Sequence, residues 1–369
     1  IMEQKLRHVL GISGGKDSAA LAIYMKSKYP SFEIEFYSCD TGKELDETYQ
    51  LIKNLEIYLG IKINLLQAAA NSSEDPFDHF LKIFGGYLPS SNSRWCTKKL
   101  KLEPFEKYVG LDPVISYVGI RGDEDREGYI STKKNIQSIF PFRRNIWSED
   151  VIMKLLSNQN LDYVLDSAKL IYSGQESSKV FDILSKKLSN NYTQSQKVTA
   201  LLDNDVKAFN YLVFNFLKST DYPLSKELNF PLLDNVDVLN REDIFKILEE
   251  SGVGVPAYYK KIDFEINGKS GEYSRSRSGC YFCFFQQKIE WVWLYEQHPD
   301  LYKKAMQYEK DGYTWGQHES LADLIEPTRM KQIKEDYIKK MERKLNAKSP
   351  YLIDILGESE DEGCAACFI

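Results

Sequence analysis

"LGISGGKDSAALAIYM" occupies residues 10–25 and sets two glycines, a lysine and an aspartate between an apolar run and a run with helical spacing. A strand, then Ser-Gly-Gly-Lys-Asp-Ser, then a helix gathers backbone N–H groups and the positive end of a helix dipole around one small volume, which suits an anion. The glycines allow close backbone approach to a phosphate, Lys16 adds a point charge, and Ser13 and Ser18 add hydroxyl donors. The stretch is not a Walker A loop, whose glycine pair is separated by four residues before Lys-Ser/Thr. Asp17 beside a polyphosphate implies a magnesium ion between them.

Outward from this loop, residues 6–12 (LRHVLGI) and 33–39 (EIEFYSC) read as buried strands, and 17–29 and 44–59 as helices. This βαβα opening predicts a parallel sheet, with a third strand at 61–66, a fourth at 114–120, and an α/β core over residues 2–147 flanked by helices. Residues 148–229 have no glycine turn signals beyond Gly174 and read as all-helical. The stretches 140–156 and 230–252 echo one another in an FP start and an E-D-[VI]-x-x-x-L helix, either because a helical module is inserted between two copies of one unit or by chance likeness of two amphipathic helices. Residues 253–283 have a loop texture rich in Gly, Pro, Tyr and Arg. A return to the core with C-terminal helices is expected over 230–356, including a helical pair at 286–308 broken near Pro299, followed by a mobile acidic tail at 357–369.

The chain of 369 residues is 43% hydrophobic, enough for a full core, and carries a net charge of -6. That balance argues against coating nucleic acid through bulk positive charge, though not against a local groove. Lys98, Lys99, Lys101, Arg143, Arg144, Arg275 and Arg277 read either as such a groove or as a solvated face. With no run of about 18 apolar residues and no signal pattern, a cytoplasmic protein without a membrane partner is expected.

Six cysteines in such a chain favour metal or redox chemistry over a disulfide framework. Cys280 and Cys283 form a C-x-x-C, which puts two thiols on one turn to chelate a metal, to ligate a cluster, to act as a redox dithiol, or merely to pack. Cys39 lies in an apolar strand and reads as packing. Cys364 and Cys367 form a second C-x-x-C on the polar tail, suited to a sulfur relay or a partner contact.

SGGKDS resembles the PP-loop of the ATP pyrophosphatases, which cleave ATP between the α and β phosphates and transfer AMP to an oxygen. The resemblance implies that Ser13, Gly14, Gly15, Lys16, Asp17 and Ser18 grip the leaving pyrophosphate. "RWCTKKLKLEPF" (94–105) and "YVGIRGDEDR" (117–126) resemble the PAPS-reductase-like branch of that family. By that resemblance Arg94, Lys98 and Lys101 meet phosphate or sulfate groups, and Gly119 and Arg121 lie beside the nucleotide. Asp40, in SCDTG after the second strand, is placed to hold ribose, magnesium or a proton, or simply to cap a turn. Lys16, Asp17, Asp40 and Arg121 are the expected catalytic set.

Two features depart from a sulfonucleotide reductase: the tail lacks the Glu-Cys-Gly-x-His segment, and G-C-Y-F-C-F-F is added at 279–285. Cys96 is the natural third ligand with Cys280 and Cys283, because the resemblance sets both motifs at the active site. Three cysteines with an open position suit a [4Fe–4S] cluster, and a fourth ligand would suit zinc instead. The whole set resembles the DndC and SspD type of DNA phosphorothioation proteins. That likeness implies ATP, Mg2+, DNA as acceptor, a cysteine desulfurase as sulfur donor, and other modification-system subunits. A sulfonucleotide reductase, a tRNA-thiolating relative, and a non-catalytic nucleotide-sensing subunit of a defence complex are the rival readings.

Overall fold

The computed structural model describes residues 5–124, 131, 133–172, 177–310, 312–316 and 319–346. The acidic tail with Cys364 and Cys367, and the end of the RGDEDRE run, lie outside the described residues. Strands β1 (Arg7–Gly11), β2 (Glu35–Asp40), β3 (Asn64–Gln67), β4 (Val114–Tyr117) and β5 (Ile136–Ile139) form one sheet in the order β3-β2-β1-β4-β5. Every pairing is parallel. Helices α1 (Lys16–Lys28), α2 (Asp46–Leu59) and α3 (Pro76–Ile83) follow the first three strands, and α4 (Trp95–Thr97), a π-helical turn (Lys98–Leu102) and α5 (Glu103–Val109) precede β4. The expected α/β sheet flanked by helices is therefore present.

Strand residues alternate between two cores because side chains of a strand point to opposite faces. Leu10, Phe36, Ile115, Tyr117 and Ile139 face α1 and α2. Val9, Tyr37, Val114 and Ile136 face Phe105 and Val109 of α5. The third strand starts later than expected, β4 is shorter, and β5 has no counterpart among the expected strands. Four residues of β5 are too few to show a period.

Helices α6 (Glu149–Leu155), α7 (Leu161–Ile171), α8 (Ser177–Ser185), α9 (Gln194–Asn204) and α10 (Val206–Lys218) make up the helical stretch. Its apolar faces continue the core of the sheet, from Leu10 through Trp147 to Leu212 and Leu217. The Trp147 indole donates to Asn210 Oδ1 at 2.9 Å, and Asn210 Nδ2 donates to the Leu233 carbonyl at 3.1 Å. The two echoing stretches touch: Leu239 N bonds Phe142 O at 3.0 Å and Asn235 Nδ2 bonds Pro141 O at 2.8 Å. Beyond them α11 (Arg241–Glu250) packs on α1.

The loop texture expected at 253–283 is corrected by an antiparallel hairpin, β6 (Ile262–Ile266) with β7 (Lys269–Tyr273). Its turn is Asn267-Gly268, with φ of 51° and 73°. Asn-Gly suits the positive φ at both central positions of a type I′ turn, so the dipeptide itself carried the signal. Helices α12 (Lys288–Gln297) and α13 (Pro299–Gln307) form the expected pair, and α14 (Leu321–Leu324) and α15 (Pro327–Asn346) complete the order. Aromatic residues of this half, including Tyr258, Phe282, Trp291 and Trp315, share a core with Leu45, Phe77, Trp95 and Leu100 of the first half. Among the described residues no helix is long and apolar enough to cross a membrane.

Burial pushes the Cys39 thiol up to about 12. Above about pH 8.5 the unfolded chain releases a thiol proton that the folded chain retains, so stability falls as pH rises. Melting temperature is expected to drop between pH 8 and 10, with about 2 kcal/mol of the loss at pH 10 due to Cys39. Thermal scans of Cys39→Ala should show a shallower alkaline slope than the parent.

Candidate active site

The loop Ser13–Ser18 leaves the C-terminal end of β1, where an open parallel sheet presents its ligand crevice. Gly14 has φ of +73°, and a Cβ there would stand 2.1 Å from Thr48 Cγ2, so the turn requires glycine. Gly15 precedes α1, and Ser18 Oγ lies 3.2 Å from both the Ser13 N–H and the Ser13 hydroxyl. A helix N-terminus is normally open to water, yet Lys16, Asp17 and Ser18 are all buried. Their cover comes from residues about 240 positions later. Tyr258 Oη donates to Gly14 O at 3.0 Å, the Lys16 N–H bonds Tyr259 Oη at 3.4 Å, and a Cβ on Gly15 would stand 2.6 Å from Ser278 Oγ.

Under this cover Asp17 is held by two cations. Lys16 Nζ lies 3.1 Å from Oδ2, and Arg121 Nη1 lies 3.0 Å from Oδ1. Arg121 also pairs with Asp123 and Glu124 and is 3% exposed. Magnesium arriving with a nucleotide would thus find both Asp17 oxygens already facing cations, and would have to be held mainly by phosphate oxygens. Gly119 has a packing role: a Cβ would meet the Asp17 carbonyl at 2.9 Å, so its absence lets the β4 exit lie against the start of α1.

Asp40 accepts from Gly42 N–H at 2.8 Å, Tyr49 Oη at 3.0 Å and Gln67 Nε2 at 3.1 Å, and so clasps the turn after β2. That turn carries a group the sequence reading missed. Thr41 Oγ1 donates to Glu44 Oε1 at 2.6 Å and lies 3.2 Å from Cys280 Sγ. Glu44 and Cys280 also meet as a backbone bridge. Burial holds the Glu44 carboxyl above the usual carboxylate range. Burial, then the Glu44 charge, pushes the Cys280 thiol well up, while the Thr41 hydroxyl and Lys101 draw it down. Thiol, hydroxyl and carboxyl form a short path along which a proton can leave sulfur.

Arg94 and Arg277, from opposite halves of the chain, both lie over the Phe285 ring, at 4.9 and 5.9 Å from its centroid. Lys99 is paired with Glu103 and Arg144 with Asp203, while Lys98 is exposed. Arg275 is not a surface residue at all: it is 1% exposed, bonds Cys280 O and Gln286 Oε1 through Nη2, lies over the Tyr258 ring, and its Nε and Nη1 have no hydrogen-bond partner.

Cys96 and Cys280 both pack against the same aromatic core. Among the described residues, however, no three Cys, His, Asp or Glu side chains gather to hold a metal ion. Cys96, Cys280 and Cys283 thus do not form a ligand set as arranged.

Residues 7–165 match the phosphoadenosine phosphosulfate reductase domain, so such a domain is present over less than half of the chain. It is the domain of a nucleotide-utilising, sulfur-related enzyme family. The chain is 34% identical over 132 residues to the uncharacterized protein MJ0066 of Methanocaldococcus jannaschii, covering 35% of this chain and 25% of that one. It is 28% identical over 145 residues to the uncharacterized nin region protein ORF290 of Escherichia phage lambda, covering 32% and 49%. The chain thus spans a quarter to a half of the length of these relatives. No solved structure matches it.

Two substitutions at the thiol path have opposite signs. Glu44→Gln removes the charge that raises the thiol and should move Cys280 ionisation down, whereas Thr41→Val removes a bond that lowers it and should move it up. The pH dependence of iodoacetamide alkylation at Cys280, followed by peptide mass spectrometry, reads both.

Proposed function

We propose that the protein is an ATP pyrophosphatase that adenylylates a phosphate oxygen so that sulfur can replace it, with DNA as the acceptor. The observation that carries this reading is the contact of Ser278 with Gly15, which brings the segment bearing Cys280 and Cys283 onto the phosphate loop. An AMP-transfer loop and a thiol pair then serve one reaction volume. An acceptor oxygen attacks the α-phosphorus of ATP, the bond to the β-phosphate breaks, and pyrophosphate leaves into the Ser13–Ser18 loop beside Lys16. Arg94, Lys98 and Lys101 steady the acceptor phosphate as phosphate-contacting cations do.

Sulfur arrives as a persulfide passed from a cysteine desulfurase to Cys283. Its terminal sulfur attacks the acceptor phosphorus and AMP departs with the oxygen. Cys280, its proton passed through Thr41 to Glu44, attacks the Cys283 sulfur and breaks the S–S bond. The thio group stays on phosphorus, and a dithiol reductant returns the resulting Cys280–Cys283 disulfide to two thiols. This uses the dithiol alternative for the C-x-x-C.

A second reading, reduction of a sulfonucleotide, is favoured by the domain match alone. Purified protein should convert ATP to AMP and pyrophosphate, with Lys16→Ala slowing turnover by about 100-fold or more. Cells carrying the gene with its partners should yield phosphorothioate-linked dinucleotides in DNA digests, lost in Cys283→Ser. PAPS reduction without phosphorothioate would establish the second reading instead.

A further inference from the structure

The guanidinium of Arg275 is fully buried, and no carboxylate among the described residues forms an ion pair with it. Its Nη2 donates to the Cys280 carbonyl at 3.1 Å and to Gln286 Oε1 at 3.0 Å, both uncharged acceptors. Nε and Nη1 have no hydrogen-bond partner. The buried carboxylate of Glu290 is engaged elsewhere, by the Ser276 N–H and hydroxyl and by the Gln287 N–H. Charged side chains are seldom fully buried unless paired, because the charge gives up its hydration and gains nothing opposite. Arg275 is therefore a buried cation without a counter-ion.

This charge belongs to the cover of the phosphate loop. The Arg275 N–H donates to Tyr258 O at 2.9 Å, and the guanidinium carbon lies 5.8 Å from the centre of the Tyr258 ring. Tyr258 Oη in turn donates to Gly14 O, and Tyr259 Oη accepts from the Lys16 N–H. Burial raises the ionisation of both tyrosine hydroxyls, and the Arg275 charge works against it. Its field thus reaches the two oxygens that touch the loop. The cations of the loop itself are already matched: Lys16 and Arg121 meet Asp17, and Arg121 also meets Asp123 and Glu124. That cluster brings no surplus positive charge to a polyphosphate.

We propose that Arg275 is a positioning residue for the polyphosphate: from behind Tyr258 it supplies the uncompensated positive charge that the loop cluster lacks, and the bound phosphates are its counter-ion. The inference rests on the reading of Ser13–Ser18 as a pyrophosphate loop and adds the charge that favours the anion there. No direct contact is needed. Nε and Nη1 stay within the cover, and the attraction acts through aromatic packing, where the low dielectric screens it far less than water does. The cost of the buried charge is relieved on binding.

Gln286→Glu tests this with little change of shape, since it puts a carboxylate into the existing bond to Arg275 Nη2. In the full chain without ligand the melting temperature should rise, because the buried cation gains a partner. Pyrophosphate affinity, measured by isothermal titration calorimetry, should fall about tenfold. Arg275→Gln should weaken pyrophosphate by a similar factor, and Arg275→Lys, which keeps the charge, by less than about threefold. A purely structural Arg275 gives another pattern: Gln286→Glu leaves pyrophosphate binding unchanged, and Lys harms it as much as Gln. That pattern, or a melting temperature that falls in Gln286→Glu, overturns the inference. Pyrophosphate binding that Lys16→Ala abolishes and Gln286→Glu leaves intact overturns it alone, whereas a wild-type chain that binds no pyrophosphate overturns the loop reading as well.

Discussion

The carboxylate of Asp17, enclosed between Lys16 and Arg121, is the constraint on which the rest of the site depends. It ties the first turn of α1 to the exit of β4. Breaking such a buried pair by deleting one partner costs about 3–5 kcal/mol, so the loop and the Gly119–Glu124 turn are held together. On the proposed function, an incoming polyphosphate would compete with Asp17 for both cations.

That cluster is closed by a segment far along the chain. Tyr258, Tyr259 and Ser278 lie over the loop because the aromatic core of the C-terminal half includes Leu45, Phe77, Trp95 and Leu100 from the first half. Large aromatic side chains dominate such packing, and Phe77 with Phe282 at 4.5 Å and Phe282 with Trp315 at 4.8 Å form its centre. The same packing delivers Cys280 to Thr41 and brings both Arg94 and Arg277 to the Phe285 ring. Core formation and site assembly are thus one event in this half of the molecule.

Much of the fold was legible locally. The first two strands and both helices fall where their periods place them, since 13- and 14-residue helices offer several turns of pattern. The β6–β7 hairpin was legible too, through Asn267-Gly268, and was passed over for the glycine- and tyrosine-rich texture around it. Of the candidate site, the loop residues and Arg121 come together. Asp40 and Gly119 are placed by hydrogen bonding and close packing, respectively. Thr41, Glu44, Tyr258 and Tyr259 carried no local signal, and the burial of Arg275 is the reverse of what an arginine in a serine-rich run suggests.

The sequence by itself determined the βα order, the glycine turn and the helix behind it, because strand period, helix period and left-handed backbone positions are properties of neighbouring residues. Only the tertiary structure decided which residues cover the loop, which carboxyl meets the Cys280 thiol, and which arginine is buried without a full set of partners. Those relations join positions as far apart as Gly15 and Ser278. Side-chain burial creates them once two distant aromatic surfaces close on each other.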